Sequence, residues 1–481
     1  MKSCLASSHI TDSMFFRQGY STDECRRIFC DRRRMQRWLD VEAALARCQG
    51  DLGIIPAEVA RQLAETARLD RLDLAFIQAE IRRTSHSLVP LLRAWQRIIP
   101  GEAGQFVHFG ATTQDIQDTA QSLEMRDVLA ITDRDLRAVM SRLADLAERH
   151  RDLVMVGRTH GQHALPTTLG LKIAGWLDEA MRGHQRLLAI RSQAIPAQLF
   201  GGVGTMEALS DQAMELLTAF ASALGLSVPR LCWHSARDRI AEYLSTLALL
   251  TGGLARAANE IYELAKNEVQ ELFEPSHEDQ VGSSTMPHKR NPELCEQVVV
   301  LSRIVKAQAG LGLDALVSAH ERDYRAVRLE WISVTEASLA TCCALSMMRF
   351  ILDGLVVNES QITRNTLQSA ELISTEAMMF ELGRRLGKQT AHELIHAAAG
   401  RAARKATTLT RELAETPEVQ NHFSAAEVEA MIRPLSHTGK AVELVMHCVR
   451  EARALLAETP SMPAPAPCPA PACAACPEQH P

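Results

Sequence analysis

Aromatic residues make up only 4% of this 481-residue chain, and its charges nearly cancel, with 52 Lys and Arg against 58 Asp and Glu. The first shortage, beside an abundance of Ala, Leu, Arg and Glu, favours helix over sheet, because those residues keep their rotamer freedom in helices. The second leaves no basic surplus for holding nucleic acid. The basic runs "DRRRMQR" (31–37) and "IRR" (81–83) read as solvated helix faces. No early window joins a basic start to an apolar run of signal-peptide length, and none approaches the roughly 20 apolar residues of a membrane span. A cytoplasmic protein without a membrane partner is expected. Also missing are a G-x-S-x-G nucleophile elbow and a phosphate-cradling P-loop.

Cysteine is not scarce: there are 12. Nine are scattered along helical patterns and read as small buried or partly buried residues. Cys468, Cys473 and Cys476 lie in a terminal stretch, "PSMPAPAPCPAPACAACPEQHP", whose "CAAC" lacks the second cysteine pair of a metal site. No metal site is expected, and the Pro/Ala-rich tail cannot bury a core.

With 46% hydrophobic and 23% charged residues, the chain can build a large core and more than one domain. The pattern divides it into shorter helices over 1–110, very long helices over 111–358, shorter helices over 359–456 and the tail at 457–481. In the clearest run, Ser235 to Leu272, Ile240, Leu244, Leu247, Leu254, Ala258, Ile261 and Ala265 recur at spacings of three, four and seven. That is the stripe of a helix packed along its length, and 38 residues would span roughly 57 Å. Similar patterns fill 122–149, 169–192, 207–225, 293–319 and 332–356, with no strand-like alternation between them. An all-α fold with a central bundle of long helices is expected. Helices that outrun a small domain's diameter favour a homo-oligomer.

Four polar segments interrupt these helices: "TSHS" (84–87), "HFGATTQDIQDTA" (108–120), "GRTHGQHALPTTLG" (157–170) and "VGSSTMPHKRNPE" (281–293). Each sets hydroxyls, amides or histidines at a helix boundary, where free backbone N–H groups favour anions. Each also has a plain structural reading. Thr112 or Thr113 would cap a helix, His160 would sit hydrogen-bonded in a turn, and Lys289 and Arg290 would be surface charges. Four such clusters in one chain point instead to a site assembled from distant loops that grips carboxylates.

"GSSTMPHKRNP", "GRTHGQHALPTTLGLK" and "HFGATTQDIQDTA" resemble three signature segments of the fumarase/aspartase superfamily, in order and spacing, and the likeness covers about residues 10–455. It implies a three-domain all-α homotetramer with a twenty-helix core, active sites built from three subunits, and no metal or organic cofactor. It also implies β-elimination from a succinyl skeleton with release of fumarate. By that resemblance Ser283 is the general base and His160 the general acid. Lys289 and Asn291 bind carboxylate, Thr112, Thr113 and Gln162 contact substrate, and His86 and His108 line the same site.

Within the superfamily, "MPHKRNP" resembles the adenylosuccinate lyases and the 3-carboxy-cis,cis-muconate cycloisomerases. "GRTHGQHALPTT" leans to the former. "FGGVGTMEALSDQA" (200–213), "WHSARDRIAEY" (233–243, with Arg239) and "HERDYRAVRLEW" (320–331) lean to the latter. A resemblance to the nucleotide-handling branch implies an arginine-tyrosine pair near the N-terminus and an "ER" after "HERD"; here the chain reads Gly19-Tyr20 and Glu330-Trp331. The reading is a carbon–nitrogen lyase acting on an N-substituted aspartate or related compound, with Arg325 and Arg328 as candidate grips for an extra acidic group. Adenylosuccinate cleavage, a muconate cycloisomerase activity and a recruited non-catalytic scaffold remain the alternatives.

Overall fold

The structure is a computed structural model that describes residues 8–193, 195–276, 282, 285–286 and 288–464. Five long helices dominate it: Thr113–Arg149, Leu169–Gln193, Asp238–Leu264, Glu293–Asp314 and Tyr324–Asp353. They pack side by side, with 238–264 against 293–314, 293–314 against 324–353, and 113–149 against both 169–193 and 324–353. The Ala441–Glu458 helix lies along 113–149 and 169–193.

The apolar stripe of 238–264 is buried as its spacing predicts, through Ile240, Leu244, Leu247, Leu254, Ala258 and Ile261. Each of the Leu and Ile side chains contributes about 1.5–3 kcal/mol when fully buried. The helix stops at Leu264, well short of Leu272. Gln270 takes a positive φ of 56° and Leu272–Phe273 becomes a short strand paired with Val356–Val357. The second departure from the sequence reading is a β-hairpin, Val154–Thr159 with Gln162–Thr168, inside a stretch without clear alternation.

Two further hydrophobic cores flank the bundle. The N-terminal one gathers Trp38, Trp95 and Phe220, the last from the Ala213–Leu224 helix; the C-terminal one gathers Met378, Leu382, Ile395 and Val428. The "DRRRMQR" run is not a solvated face. Arg33 and Arg37 are buried, Arg37 pairs with Asp127 at 2.6 Å, and Arg34 grips Glu124 at 3.0 and 3.2 Å. One helix, Tyr324–Asp353, is long and apolar enough to cross a membrane, contrary to the sequence reading, but 67% of its most apolar window is buried inside the protein. The eight described cysteines are buried or half-buried, and no metal-binding group of His, Cys, Asp and Glu exists among the described residues. The three tail cysteines lie outside the described residues.

Candidate active site

The Thr113–Arg149 helix runs through the middle of the molecule, so most of its acidic residues, Asp115, Asp118, Glu124, Asp127, Asp133 and Asp135, are buried and each needs a partner. Asp118 receives both Nη atoms of Arg237 at 2.8 and 3.1 Å, and the Arg237 Nε–H donates to Glu330 at 2.7 Å. Gln121 adds a 3.1 Å bond to Glu330, and the Trp233 ring lies 5.0 Å from the guanidinium.

At the head of this helix Thr112 is the N-cap and forms a capping box with Asp115. The Asp115 carboxylate accepts from the backbone N–H groups of Thr112 (3.0 Å), Phe200 (3.0 Å) and Gly201 (2.9 Å), and from His234 Nε2 at 2.9 Å. One buried carboxylate thus ties the helix head to two distant segments. Burial opposes a charge on His234, yet the hydrogen bond to Asp115 and the contact with Cys232 raise its pKa to about 9. Gly110, at φ +78°, belongs to the same corner; an added Cβ would lie 2.5 Å from the Ala208 carbonyl oxygen.

Around Thr112 stand most of the residues singled out for substrate contact. Arg322 Nη1 donates to Thr112 Oγ1 at 2.9 Å, and its Nη2 reaches the Gly202 carbonyl. Thr113 begins the helix. Tyr324 Oη donates to Gln117 at 2.9 Å, and Gln117 donates to Ser87 Oγ at 2.7 Å, which joins the "TSHS" segment to the helix head. His86 accepts from the N–H groups of Leu88 and Val89 through Nδ1, leaving Nε2 for other work. His108, at φ 62°, bonds Glu42 through Nδ1 at 2.6 Å. Burial works against its charged form, but the Glu42 carboxylate outweighs that and raises its pKa.

Arg322 and Ser87 were not among the residues chosen from the sequence. Arg322 stands just ahead of Tyr324 and of the two arginines, Arg325 and Arg328, that drew attention. Arg325 is exposed and pairs with Asp323 (Nε to Oδ1 2.9 Å), while Arg328 lies over the Tyr324 ring at 5.4 Å. Arg239 sits half-exposed in the first turn of the 238–264 helix.

The remaining candidates lie at the opposite end. At 1.5 Å per residue the 37-residue helix is roughly 55 Å long, and the hairpin follows directly from its tail. His160 and Gly161 form the two-residue turn, with φ 54° and 76°, a conformation suited to the twist of a hairpin. His160 and Gln162 are both exposed there. Arg158 on the hairpin holds Glu271 at 2.7 and 3.0 Å, and Asn365 bonds the same carboxylate at 2.8 Å. His163 meets Ser369 at 2.6 Å.

The Arg158–Glu271 pair brings the next segment to the hairpin's end of the bundle. Glu274 accepts from the N–H groups of Leu294 and Cys295, at 3.1 and 2.9 Å, and so caps the 293–314 helix. A cavity of about 700 Å³ opens here, lined by Glu274, Gly282, Lys289, Arg290 and Asn291 among others. Asn291 Nδ2 donates to the Gly282 carbonyl at 2.6 Å, and a Cβ on Gly282 would meet the Lys289 carbonyl oxygen at 2.1 Å. Lys289 is exposed. Ser283, the candidate base, lies outside the described residues. Within one chain, then, Thr112, Thr113, His86 and His108 stand at one end of the bundle, and His160, Gln162, Lys289 and Asn291 at the other.

Comparison with known proteins gives a consistent result. The family model described as "Lyase" matches residues 17–306, and that described as "Adenylosuccinate lyase C-terminus" matches 371–448. An N-acetyl-S-(2-succino)cysteine lyase of Dickeya dadantii is 38% identical over 454 residues, 94% of this chain and 100% of the relative. An adenylosuccinate lyase of Methanothermobacter thermautotrophicus is 36% identical over 443 residues, 91% of this chain and 98% of the relative. The crystal structure of 3-carboxy-cis,cis-muconate lactonizing enzyme from Pseudomonas putida superposes with a TM-score of 0.85 at 32% identity, covering 92% of this chain and 100% of that one.

Proposed function

The chain belongs to the fumarase/aspartase superfamily of lyases, and on that premise we propose that it eliminates fumarate from a small succinyl adduct whose leaving group is a thiol or an amine rather than a nucleotide. The observation that carries the choice of leaving group is the aromatic cluster beside the Thr112 cradle. Trp331 stands where resemblance to the nucleotide-handling branch implies an arginine. Its ring lies 6.3 Å from those of both Trp38 and Tyr324. An indole in that place offers packing and no bidentate hold on a phosphate. At the N-terminal position, Gly19 gives its carbonyl to Gln297 at 2.6 Å. The likeness to a lyase of N-acetyl-S-(2-succino)cysteine moves the preferred bond from carbon–nitrogen towards carbon–sulfur.

In this reading Ser283 removes the proton alpha to a carboxylate, which is only weakly acidic, so the carbanion has to be held as an aci-carboxylate. Lys289 supplies positive potential where that charge develops. His160 protonates the departing sulfur or nitrogen. Thr112, Thr113 and Arg322 hold the substrate from the other side. Since one chain keeps these groups at opposite ends of its bundle, the site is completed by other copies. Five long helices per chain is the number that a twenty-helix core of four chains requires. Leu249, Leu313 and Ile332 on those helices are more than half exposed in the single chain, as contact surface would be.

The test is a panel assay on purified protein, following the ultraviolet absorbance of fumarate. The panel holds N-acetyl-S-(2-succino)cysteine, N-succinyl amines, argininosuccinate, adenylosuccinate and carboxymuconate, with Ser283→Ala as control. Fumarate from a thioether or simple amine, lost in the control, is the expected result. Turnover of adenylosuccinate or carboxymuconate alone would overturn the reading. For the shared site, mixing an inactive His160→Asn chain with an inactive Thr112→Val chain should restore part of the activity. No restoration after subunit exchange would count against it.

A further inference from the structure

Cys232 has a setting unlike that of any other described cysteine. Its Sγ lies 3.0 Å from His234 Nδ1, and His234 Nε2 lies 2.9 Å from Asp115 Oδ1. A thiol, an imidazole and a carboxylate in series, with the carboxylate fixing the ring, is the arrangement that activates a nucleophile. His234 and Asp115 are fully buried, whereas Cys232 is half-buried. Gly204, at φ +90°, flanks the sulfur; a Cβ there would come within 3.3 Å of Sγ, so the glycine leaves that approach uncrowded.

The same Asp115 also holds the Thr112 N–H, which places the thiol beside the cradle assigned to substrate. Arg322 adds positive charge there. No carboxylate pairs with it among the described residues, and its buried Nε has no hydrogen-bond partner. An unsaturated dicarboxylate released at this end would meet a cation and a poised sulfur together.

We propose that Cys232 is a nucleophilic modification site that adds to an α,β-unsaturated dicarboxylate, giving an S-succinyl cysteine within the protein. The sulfur bonds to one alkene carbon while its proton is held at His234 Nδ1. The alkene π-electrons move towards the adjacent carboxylate, and the resulting carbanion takes one proton at carbon, supplied by His234. One S–H and one C=C are consumed, one S–C and one C–H are formed, and no oxidant or further reactant is needed. The reaction is the reverse of a thioether elimination, and the identity of the acceptor as fumarate rests on the function proposed above. Selectivity has a physical basis: burial pushes the Cys343 thiol up to about 12 and the Cys448 thiol up to about 11, and Cys25 and Cys295 are raised further.

The test is intact-mass and peptide-map analysis after incubating the full chain with fumarate, with saturated succinate as control. One fumaric acid should add per chain, at Cys232 only, and not in Cys232→Ser. The rate should fall about tenfold or more in His234→Gln. Should that variant not fold, the native rate at Cys232 must exceed its rate in urea-unfolded protein. An unchanged mass, an adduct on other cysteines, or a native rate no faster than the unfolded one would overturn the proposal. Fumarate release from the succinyl panel by the native chain is scored separately from its adduct. Elimination without an adduct refutes this site alone, and an adduct without elimination refutes the lyase reading alone.

Discussion

Where the 113–149 helix begins, half-buried functional side chains rest on buried, hydrogen-bonded partners; where it ends, His160, Gln162 and Lys289 are exposed. Asp115 accepts four hydrogen bonds and Arg237 is enclosed between two carboxylates, but His160 rides on a turn and Lys289 faces a cavity. A cradle that must hold a small dicarboxylate in one orientation benefits from groups fixed by their neighbours. On the proposed function, groups that complete a site in another copy, and that admit substrate and release product, have to remain available. The contrast predicts that the exposed end governs rate and the buried end governs stability.

The largest separation should come from His160→Asn. Activity on the panel's substrate should drop by about 10²–10⁴ while the thermal midpoint stays that of the parent. A fall in stability matching the loss of rate would break the contrast. Next, Arg237→Met should leave Asp118 and Glu330 as buried carboxylates without their cation and cost about 3–5 kcal/mol, read from urea unfolding. A neutral result would mean that water reaches a pair shown here as dry.

The His234–Asp115 pair offers a titration. Its histidine is raised from 6.5 to about 9, so the charged form binds more tightly to the folded state. The stabilisation is complete below about pH 6.5 and fades as pH rises through about 9, amounting to something on the order of 3 kcal/mol. The unfolding free energy of the parent should therefore approach that of His234→Gln as pH climbs through this window. Parallel pH curves would show that the ring is neutral throughout. The smallest effect is assigned to Arg325→Ala: its guanidinium is exposed, and its partner Asp323 keeps the backbone N–H groups of Arg325 and Ala319 as donors, so both the midpoint and kcat should be unchanged within error. A marked rise in KM would reinstate Arg325 as a substrate contact.

The helices were legible because their burial leaves a regular imprint; Ile240, Leu244 and Leu247 repeat with the helical period whichever elements cover them. The hairpin left no such imprint. Burial does not alternate along either strand, and the turn depends on a histidine adopting a positive φ, which composition does not announce. The overrun to Leu272 has the same origin, since apolar residues continue past the point where the backbone turns at Gln270. The cradle was half legible. Thr112, Thr113, His86 and His108 stand in polar segments that attract notice. Asp115, Asp118 and Arg237 read as ordinary helix charges, because their partners are up to 119 residues away in the chain. The basic run at 31–37 misled for that reason as well: only the fold shows that Glu124 and Asp127 wait beneath it.

The 113–149 helix fixes more than the positions of its own residues. It sets the span between the two ends, and the helices beside it, 324–353 in the same direction and 169–193 in the opposite one, cover that span from Thr112 and Arg322 at one end to Glu271 and Glu274 at the other. Adding a turn to one of them would carry its terminal groups about 5.4 Å out of step unless its neighbours lengthened together. Variation in chain length among relatives should therefore gather in the segments before residue 113 and after 353, where no such common measure has to be kept.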